Sequence, residues 1–312
     1  MTDVEQSAIR NQRILVTGGA GFIGSHIVDA VVDDNEVVIL DDLSTGSLDN
    51  VPAETEFVEG DVRDREVLAA VMEGVDIVFH HAAIVSVEQS IEDPELTHDV
   101  TTRATIQLLE LARKESARVI FASSAAIYGH PESVPIAETN LTEPTSPYGL
   151  AKLNADQYVR LYADLYDVEA IPLRYFNVYG PRQTAGDYSG VISIFLQQAR
   201  EGGPITVHGD GSQTRDFVHV SDVVQANVRA AVQGVPGRAY NIGTAESITI
   251  VDLAETVREV VDNGAVEIKH TEGREGDIDA SRAMIDRATD DLGFQSTVRL
   301  QDGLADLADC GR

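Results

Sequence analysis

Apolar residues along the chain fall into two rhythms that alternate. Ile14-Leu15-Val16, Glu36 to Leu40, Ile77-Val78-Phe79, Val119-Ile120-Phe121 and Ala170 to Leu173 are short runs, rich in β-branched residues and bounded by turn or polar residues. Such runs predict buried strands. Between them, Ser25 to Val32, Glu66 to Met72, Val100 to Lys114 and Tyr148 to Tyr166 repeat their apolar positions at helical spacing. Strand and helix in alternation require crossover connections, hence a parallel sheet covered on both faces. The expected architecture is α/β, a doubly wound parallel sheet. After about residue 180 the rhythm changes: Gly and Pro become more frequent and the strands shorter (Ile205 to Val207, Ala239 to Ile242, Val266 to Ile268). This predicts a smaller C-terminal α/β domain against the carboxyl edge of the main sheet. There is no internal repeat and no low-complexity segment.

Composition narrows the possible partners. The 312 residues carry 52 Asp and Glu against 23 Lys and Arg, a formal charge of −29. Nucleic acids and anionic membrane surfaces call for a basic field, so neither is an expected partner. Only three of the basic residues are lysines (Lys114, Lys152, Lys269), while 43% of the chain is hydrophobic. Carboxylate excess on a chain with a full core reads as a folded protein adapted to high salt, where ions screen the self-repulsion. A single cysteine, Cys310, leaves no disulfide framework and no Cys-based metal site. His81, His208 and His219 lack ligand-like spacing, so no metal is assigned. The first ten residues have no apolar stretch and nothing approaches the length of a membrane span, so the expected location is the cytoplasm.

The first strand runs into Thr17-Gly18-Gly19-Ala20-Gly21-Phe22-Ile23-Gly24-Ser25, and a helical stretch follows. Glycines at 18, 21 and 24 suit a turn where backbone approaches a pyrophosphate and the helix N-terminus offers its N–H groups to the anion. The second strand ends in Asp41, placed to accept the ribose hydroxyls of a dinucleotide and to repel a 2′-phosphate. No Arg or Lys lies between 41 and 62, which favours NAD over NADP. Asp61-Val62, after Glu56-Phe57-Val58, could place a carboxylate near the adenine amine or simply lie on the surface.

Ser123-Ser124 closes a later strand, and Tyr148-Gly149-Leu150-Ala151-Lys152 opens a helix. Tyr and Lys at i, i+4 share a helix face. A neighbouring ammonium stabilises a tyrosinate and lowers the phenol from its usual value of roughly 10, making Tyr148 a candidate general base near neutrality.

With these segments in view, the chain resembles the extended short-chain dehydrogenase/reductase superfamily, most closely its nucleotide-sugar 4-epimerases of the UDP-glucose/UDP-galactose type. The likeness runs from about Arg13 to about Phe294. It is carried by TGGAGFIGS (17–25), LDDLSTG (40–46), His81-Ala82-Ala83, SSAAIYG (123–129), SPYGLAK (146–152), LRYFNVYGPRQ (173–183), GDGSQTRDFVHV (209–220), YNIG (240–243) and REGD (274–277). The resemblance implies a Rossmann-type fold with NAD held tightly and recycled. It implies an NAD domain over 1–176 plus about 218–243, and a nucleotide-sugar domain over about 177–217 plus 244–312.

By the same resemblance Ser124, Tyr148 and Lys152 form the catalytic trio. Gly18, Gly21, Phe22, Ile23, Gly24, the stretch Asp41, Asp42, Leu43, Ser44, Thr45 and Gly46, then Asp61, Val62, Ala82, Ala83, Tyr148, Lys152 and Tyr175 surround the cofactor. Ser86, Ser124, Tyr148, Asn177, Arg215, Arg274, Asp277 and Ser281 surround a UDP-sugar, and Arg182 is a weaker diphosphate candidate. Phe176 belongs to the same turn beside the nicotinamide and sugar. Sugar-nucleotide dehydratases of this superfamily place acids directly after the catalytic hydroxyl, where this chain has Ala125-Ala126; that disfavours dehydration and the related decarboxylation. Ser281, four places after Asp277, stands where a bulky residue restricts the sugar's 2-substituent, so N-acetyl sugars are expected to enter. The family's Asn-x-x-Gly-Thr is replaced by Thr101-Thr102-Arg103-Ala104-Thr105. A homodimer formed through helices around 95–114 and 148–166 is implied. Another nucleotide-sugar enzyme of the superfamily (a UDP-glucuronate epimerase, a ketoreductase or a dehydratase) and a non-catalytic NAD sensor remain alternatives.

Overall fold

A computed structural model describes residues 9–183, 190–261, 266–273, 276 and 278–309. Seven parallel strands form the main sheet: β1 (Arg13–Thr17), β2 (Glu36–Asp41), β3 (Glu56–Glu59), β4 (Ile77–His80), β5 (Arg118–Ser124), β6 (Ala170–Tyr175) and, after an excursion, Tyr240–Ile242. Numbering in chain order, the intervening short strands are β7 (Asn177–Tyr179), β8 (Ile205–His208), β9 (Thr214–Arg215) and β10 (Phe217–His219), which makes Tyr240–Ile242 β11. The spatial order is β11-β6-β5-β4-β1-β2-β3. It reverses between β1 and β4, and such a switch point opens a crevice at the carboxyl ends of the strands.

Side-chain alternation explains why both faces are covered. Ile14, Val16, Val37, Ile39 and Ile120 point into one core, packed by helices Phe22–Val31 and Val220–Gln233. Leu15, Val38, Leu40, Val119 and Phe121 point into the other, packed by Arg65–Val71, Ala104–Glu115 and Pro147–Tyr166. Both sets are almost fully buried, so the strands read as continuous apolar runs.

A third core gathers Tyr179, Phe195, Leu196, Ile205, Val207, Leu253, Val257 and Leu304. Around it lie helices Val191–Arg200, Ile250–Val260 and Leu300–Asp309 and three two-stranded pairings: β7 with β10, β9 with β12 (Ile248–Thr249), and β8 with β13 (Ile268–Thr271).

Two expectations shift. The run Ala239 to Ile242, grouped by its rhythm with the later strands though the resemblance set 218–243 in the NAD domain, supplies the edge strand of the main sheet, pairing Tyr240 with Leu173 and Ile242 with Tyr175. The strand expected at 266–268 begins at Ile268. Ahead of Ala104–Glu115, residues Asp99–Arg103 form a π-helical turn, a wide turn that often marks functional positions.

Candidate active site

The crevice at the switch point is built from glycine-dependent contacts. A Cβ on Gly18, which has φ +70°, would lie 2.8 Å from the Ala82 nitrogen, so β1 and β4 end in loops that touch. A Cβ on Gly24 would lie 2.1 Å from the Gly18 carbonyl oxygen; only glycine lets the helix seat on the turn. That helix, Phe22–Val31, has no side-chain cap at Gly21 and no acid in its first turn. Its leading N–H groups and positive dipole end therefore suit an anion.

Asp41 is nearly buried at the end of β2. Its Oδ2 accepts the Ala20 N–H at 3.0 Å and its Oδ1 the Leu43 N–H at 2.8 Å. Burial raises the carboxyl above its usual value against the pull of these two donors. A Cβ on Gly46 would press on Ala20 and on Asp41 Oδ1, both at 3.0 Å, so the loop 42–46 folds back over the phosphate turn. Leu43 adopts φ 57° within it, and Asp42 accepts the Ser44 N–H at 2.9 Å. Asp61 is engaged by the Arg63 guanidinium at 2.9 Å, which holds its carboxyl below the usual range. Val62 is buried in the core. Uncapped N–H groups, a glycine cradle and a carboxylate at the second strand tip fit a dinucleotide of the NAD type.

The acid–base group lies across the crevice. Helix Pro147–Tyr166 starts cleanly because Ser146 accepts the Gly149 N–H at 3.1 Å and Pro147 occupies the first turn. A Cβ on Gly149 would sit 2.8 Å from the Ala126 oxygen, so the helix start is pressed onto the turn Ala125–Tyr128 that follows Ser124. This sets the Tyr148 phenol close enough to the Ser124 hydroxyl for the two to interact electrostatically. Ser124 Oγ accepts the Ala126 N–H at 3.2 Å. Ser123, alternating to the opposite side of the strand, donates to Asp156 at 2.8 Å. Tyr175 stands beside Ser124 on the neighbouring strand.

Lys152 is 4% exposed and donates from Nζ to the Ala122 carbonyl at 2.7 Å. Burial pushes the ammonium down to about 7. The Tyr148 phenol moves up from its usual value, because burial outweighs the pull of the Ser124 hydroxyl. Lowering of the phenol by the neighbouring ammonium, expected from the Tyr-x-x-x-Lys spacing, is opposed in the chain by the burial of both groups. Both groups are desolvated together, and the cationic charge that favours phenolate is itself weakened.

Beneath the trio runs a buried polar layer that local pattern did not single out. His80 bridges Thr17 Oγ1 at 2.7 Å and Thr105 Oγ1 at 3.0 Å, while Thr105 donates to the Thr101 carbonyl. His80 Nε2 is therefore the donor and Nδ1 the acceptor. Burial, reinforced by Lys152, pushes this imidazole down to about 3 and keeps it neutral. Tyr175 donates to Asn227 Oδ1 at 2.9 Å and contacts His81 Nε2 at 3.1 Å. Thr102 donates to the Ala151 carbonyl at 3.1 Å, tying the π-helical turn to the catalytic helix. Thr101, at the family's Asn position, is buried with no partner for its hydroxyl among the described residues.

The substrate-side candidates divide. Asn177 donates from its side chain to the Asp216 carbonyl at 3.0 Å, and Arg215 reaches the Ile278 carbonyl at 2.7 Å. Ser281 is 3% exposed and its N–H bonds the Thr214 carbonyl at 3.0 Å, so it shares a wall with Arg215. Ser86 caps helix Val87–Glu92 by accepting the Gln89 N–H at 3.0 Å. Arg182 pairs with Asp29 at 2.8 Å on the helix behind the phosphate turn. Arg274 and Asp277 lie outside the described residues.

Among the described residues no cluster of His, Cys, Asp and Glu is arranged to hold a metal, and no helix is long and apolar enough to cross a membrane.

A dinucleotide cradle facing a Ser, Tyr and Lys cluster defines an extended short-chain dehydrogenase/reductase. The NAD dependent epimerase/dehydratase family model matches residues 14–243, and the chain belongs to that family. A putative UDP-glucose 4-epimerase from Methanocaldococcus jannaschii is 39% identical over 296 residues, covering 93% of this chain and 95% of its own. The solved UDP-glucose 4-epimerase of Thermotoga maritima, with UDP-glucose, superimposes with a TM-score of 0.92 at 35% identity, over 95% of this chain and 97% of that one. The UDP-N-acetylglucosamine 4-epimerase from Methanobrevibacter ruminantium M1, in complex with UDP-N-acetylmuramic acid, gives a TM-score of 0.92 at 32% identity, over 96% and 98%.

Proposed function

We propose that this protein is an NAD-dependent UDP-sugar 4-epimerase that interconverts gluco and galacto configurations through a 4-keto intermediate. The observation that carries the reading is the close packing of the helix start that carries Tyr148 and Lys152 onto the turn after Ser124, with alanines rather than acids on that turn. Tyr148, as phenolate, removes the proton of the sugar 4-hydroxyl, and Ser124 hydrogen-bonds the same oxygen as it becomes a carbonyl. The bound dinucleotide would supply the place where the C4 hydrogen is held with its electron pair and from which it returns. Tyr148 gives the proton back when the ring has turned its other face, so the net change is inversion at C4. Ala125 and Ala126 have no group to remove a C5 proton or to protonate a departing hydroxyl, which argues against dehydration.

Gly18, Gly21 and Gly24 with Phe22 and Ile23 would receive the pyrophosphate, Asp41 the ribose, and the 42–46 loop, Asp61-Val62 and Ala82-Ala83 the adenosine and nicotinamide flanks. Asn177, Arg215, Ser281 and, outside the described residues, Arg274 and Asp277 would hold the UDP-sugar, with residues 177–217 and 244–312 forming that unit. The small side chain at Ser281 supports entry of N-acetyl sugars beside the unsubstituted hexoses. Exposed Leu150, Tyr158, Leu161 and Leu165 along one side of helix Pro147–Tyr166 support a homodimer. The charge of −29 supports a working medium of high salt.

The testing experiment incubates the protein in molar salt with UDP-glucose and, separately, UDP-N-acetylglucosamine, and separates the epimers. Formation of the galacto product, abolished in Tyr148→Phe, is expected. Stoichiometric accumulation of reduced cofactor, or a dehydrated sugar, would replace the epimerase reading.

A further inference from the structure

Outside the trio, one fully buried carboxylate ties together the segments that flank the substrate-side candidates. Asp216 lies between β9 and β10 with no exposure. Its Oδ1 accepts the Thr244 N–H and the Thr244 hydroxyl, both at 2.8 Å. Its Oδ2 accepts the N–H of Ala283 at 3.0 Å and that of Ala245 at 3.2 Å. Ala245 is held at φ 62°, a conformation unfavourable for a residue with a Cβ. The turn adopts it with two successive N–H groups aimed at one anion.

The same position anchors the other side through its backbone. The Asp216 carbonyl accepts both the N–H and the side-chain amide of Asn177, each at 3.0 Å. The segment 278–284 is stitched alongside: Thr214 N–H to the Asp279 carbonyl at 2.9 Å, Ser281 N–H to the Thr214 carbonyl at 3.0 Å, and Met284 N–H to the Ile136 carbonyl at 2.9 Å. The fit is close, since a Cβ on Gly243 would lie 2.7 Å from Ala283 Cβ and 2.8 Å from Asp216 Oδ2. None of these bonds reaches Tyr148, Ser124 or Lys152.

We propose that Asp216 is a positioning residue for sugar selectivity: it fixes the segment carrying Ser281 against Asn177 and Arg215, and so sets the room left for the substituent at the sugar's 2-position. The inference rests on the reading of Ser281 as part of the UDP-sugar wall. Asparagine is not a neutral replacement here, because its amide can accept on one side only. With its oxygen toward Thr244, its NH2 would meet the N–H groups of Ala245 and Ala283, donor against donor. The 279–284 segment would lose its anchor while the catalytic helix kept all its contacts.

The test is calorimetric binding of UDP-glucose and UDP-N-acetylglucosamine to the NAD-containing wild type, Asp216→Asn, Ser281→Tyr and the double variant, with pH–rate profiles alongside. In the wild-type background Ser281→Tyr is expected to disfavour the N-acetyl sugar by about tenfold or more. In Asp216→Asn the ratio of the two affinities moves by about threefold or more and the Ser281→Tyr effect shrinks, the signature of coupled residues. The pH–rate profile keeps its shape. An unchanged ratio in Asp216→Asn, or a Ser281→Tyr effect of equal size in both backgrounds, overturns the proposal. Thr244→Val, which removes one of the four donors, decides the matter if Asp216→Asn does not fold: it is expected to move the ratio in the same direction, and no movement refutes the role. Binding of neither sugar by the wild type would instead overturn the substrate reading, together with this inference.

Discussion

At the scale of single residues, the site sets two desolvated groups against each other. Burial pushes Lys152 down to about 7 and pushes the Tyr148 phenol up. A working phenolate therefore needs the positive charge of the bound oxidised cofactor in addition to Lys152. Replacing Tyr148 with Phe removes the proton acceptor and is expected to lower interconversion by about 10³, within the usual worth of a positioned acid–base group, with UDP-sugar affinity little changed. Lys152→Met leaves the phenol to burial alone. Its activity is expected to fall near neutral pH and to recover as pH rises, so the acid limb of the pH–rate profile moves to higher pH than in the wild type. Stability carries the same signature. The folded value of Lys152 is about 7 against 10.5 for the free side chain, so between those values the unfolded chain binds the extra proton. Its contribution to stability is full above 10.5 and is lost as pH falls toward 7. Urea unfolding across that window should show wild-type stability rising with pH and a flatter dependence in Lys152→Met.

At the scale of elements, two glycines determine whether the crevice and the trio exist. Gly149→Ala would place a Cβ 2.8 Å from the Ala126 oxygen and lift the helix start from the turn that carries Ser124. Turnover should fall while bound NAD is retained. Gly24→Ala, with its Cβ 2.1 Å from the Gly18 oxygen, should show the opposite pattern, a protein that purifies without cofactor. Loss of both properties in both variants, read from turnover and from cofactor absorbance, would deny the separation. The strands, the phosphate turn and the Tyr–Lys helix were legible in the sequence because each is a local pattern of period two, period 3.6 or fixed glycine spacing. The edge strand β11 was not legible from local pattern, since its register partners in β6 lie 67 residues earlier; only the resemblance put 218–243 with the NAD domain. Nor were Asp216, Asn227 and the Arg174–Asp156 pair, which meets at 3.0 Å in the interior. In a chain with 52 acids a buried carboxylate looks like any other until the fold brings four N–H and O–H donors to it. Ser86, placed by resemblance at the substrate, also caps a helix, a role that leaves its hydroxyl hydrogen to donate.

At the scale of the whole molecule, the charge of −29 and the few interior cations serve different ends. Arg63, Arg118, Arg182 and Arg299 are matched to carboxylates, so the excess acid faces solvent and repels itself. In 1 M salt the screening length shrinks to about 3 Å. The unfolding temperature is therefore expected to rise steeply between low and molar KCl, and a flat response would contradict the salt-adapted reading. Lys152 and Arg215 are the candidate cations for an anionic sugar nucleotide on the proposed reading. The central claim is that Tyr148, Ser124 and Lys152 invert C4 while its hydrogen leaves and returns without meeting solvent. The most direct measurement is to incubate the protein with UDP-glucose deuterated at C4 and determine the label in the product by NMR. The account predicts UDP-galactose with the deuterium retained at C4; UDP-galactose in which that position has taken hydrogen from water would contradict it.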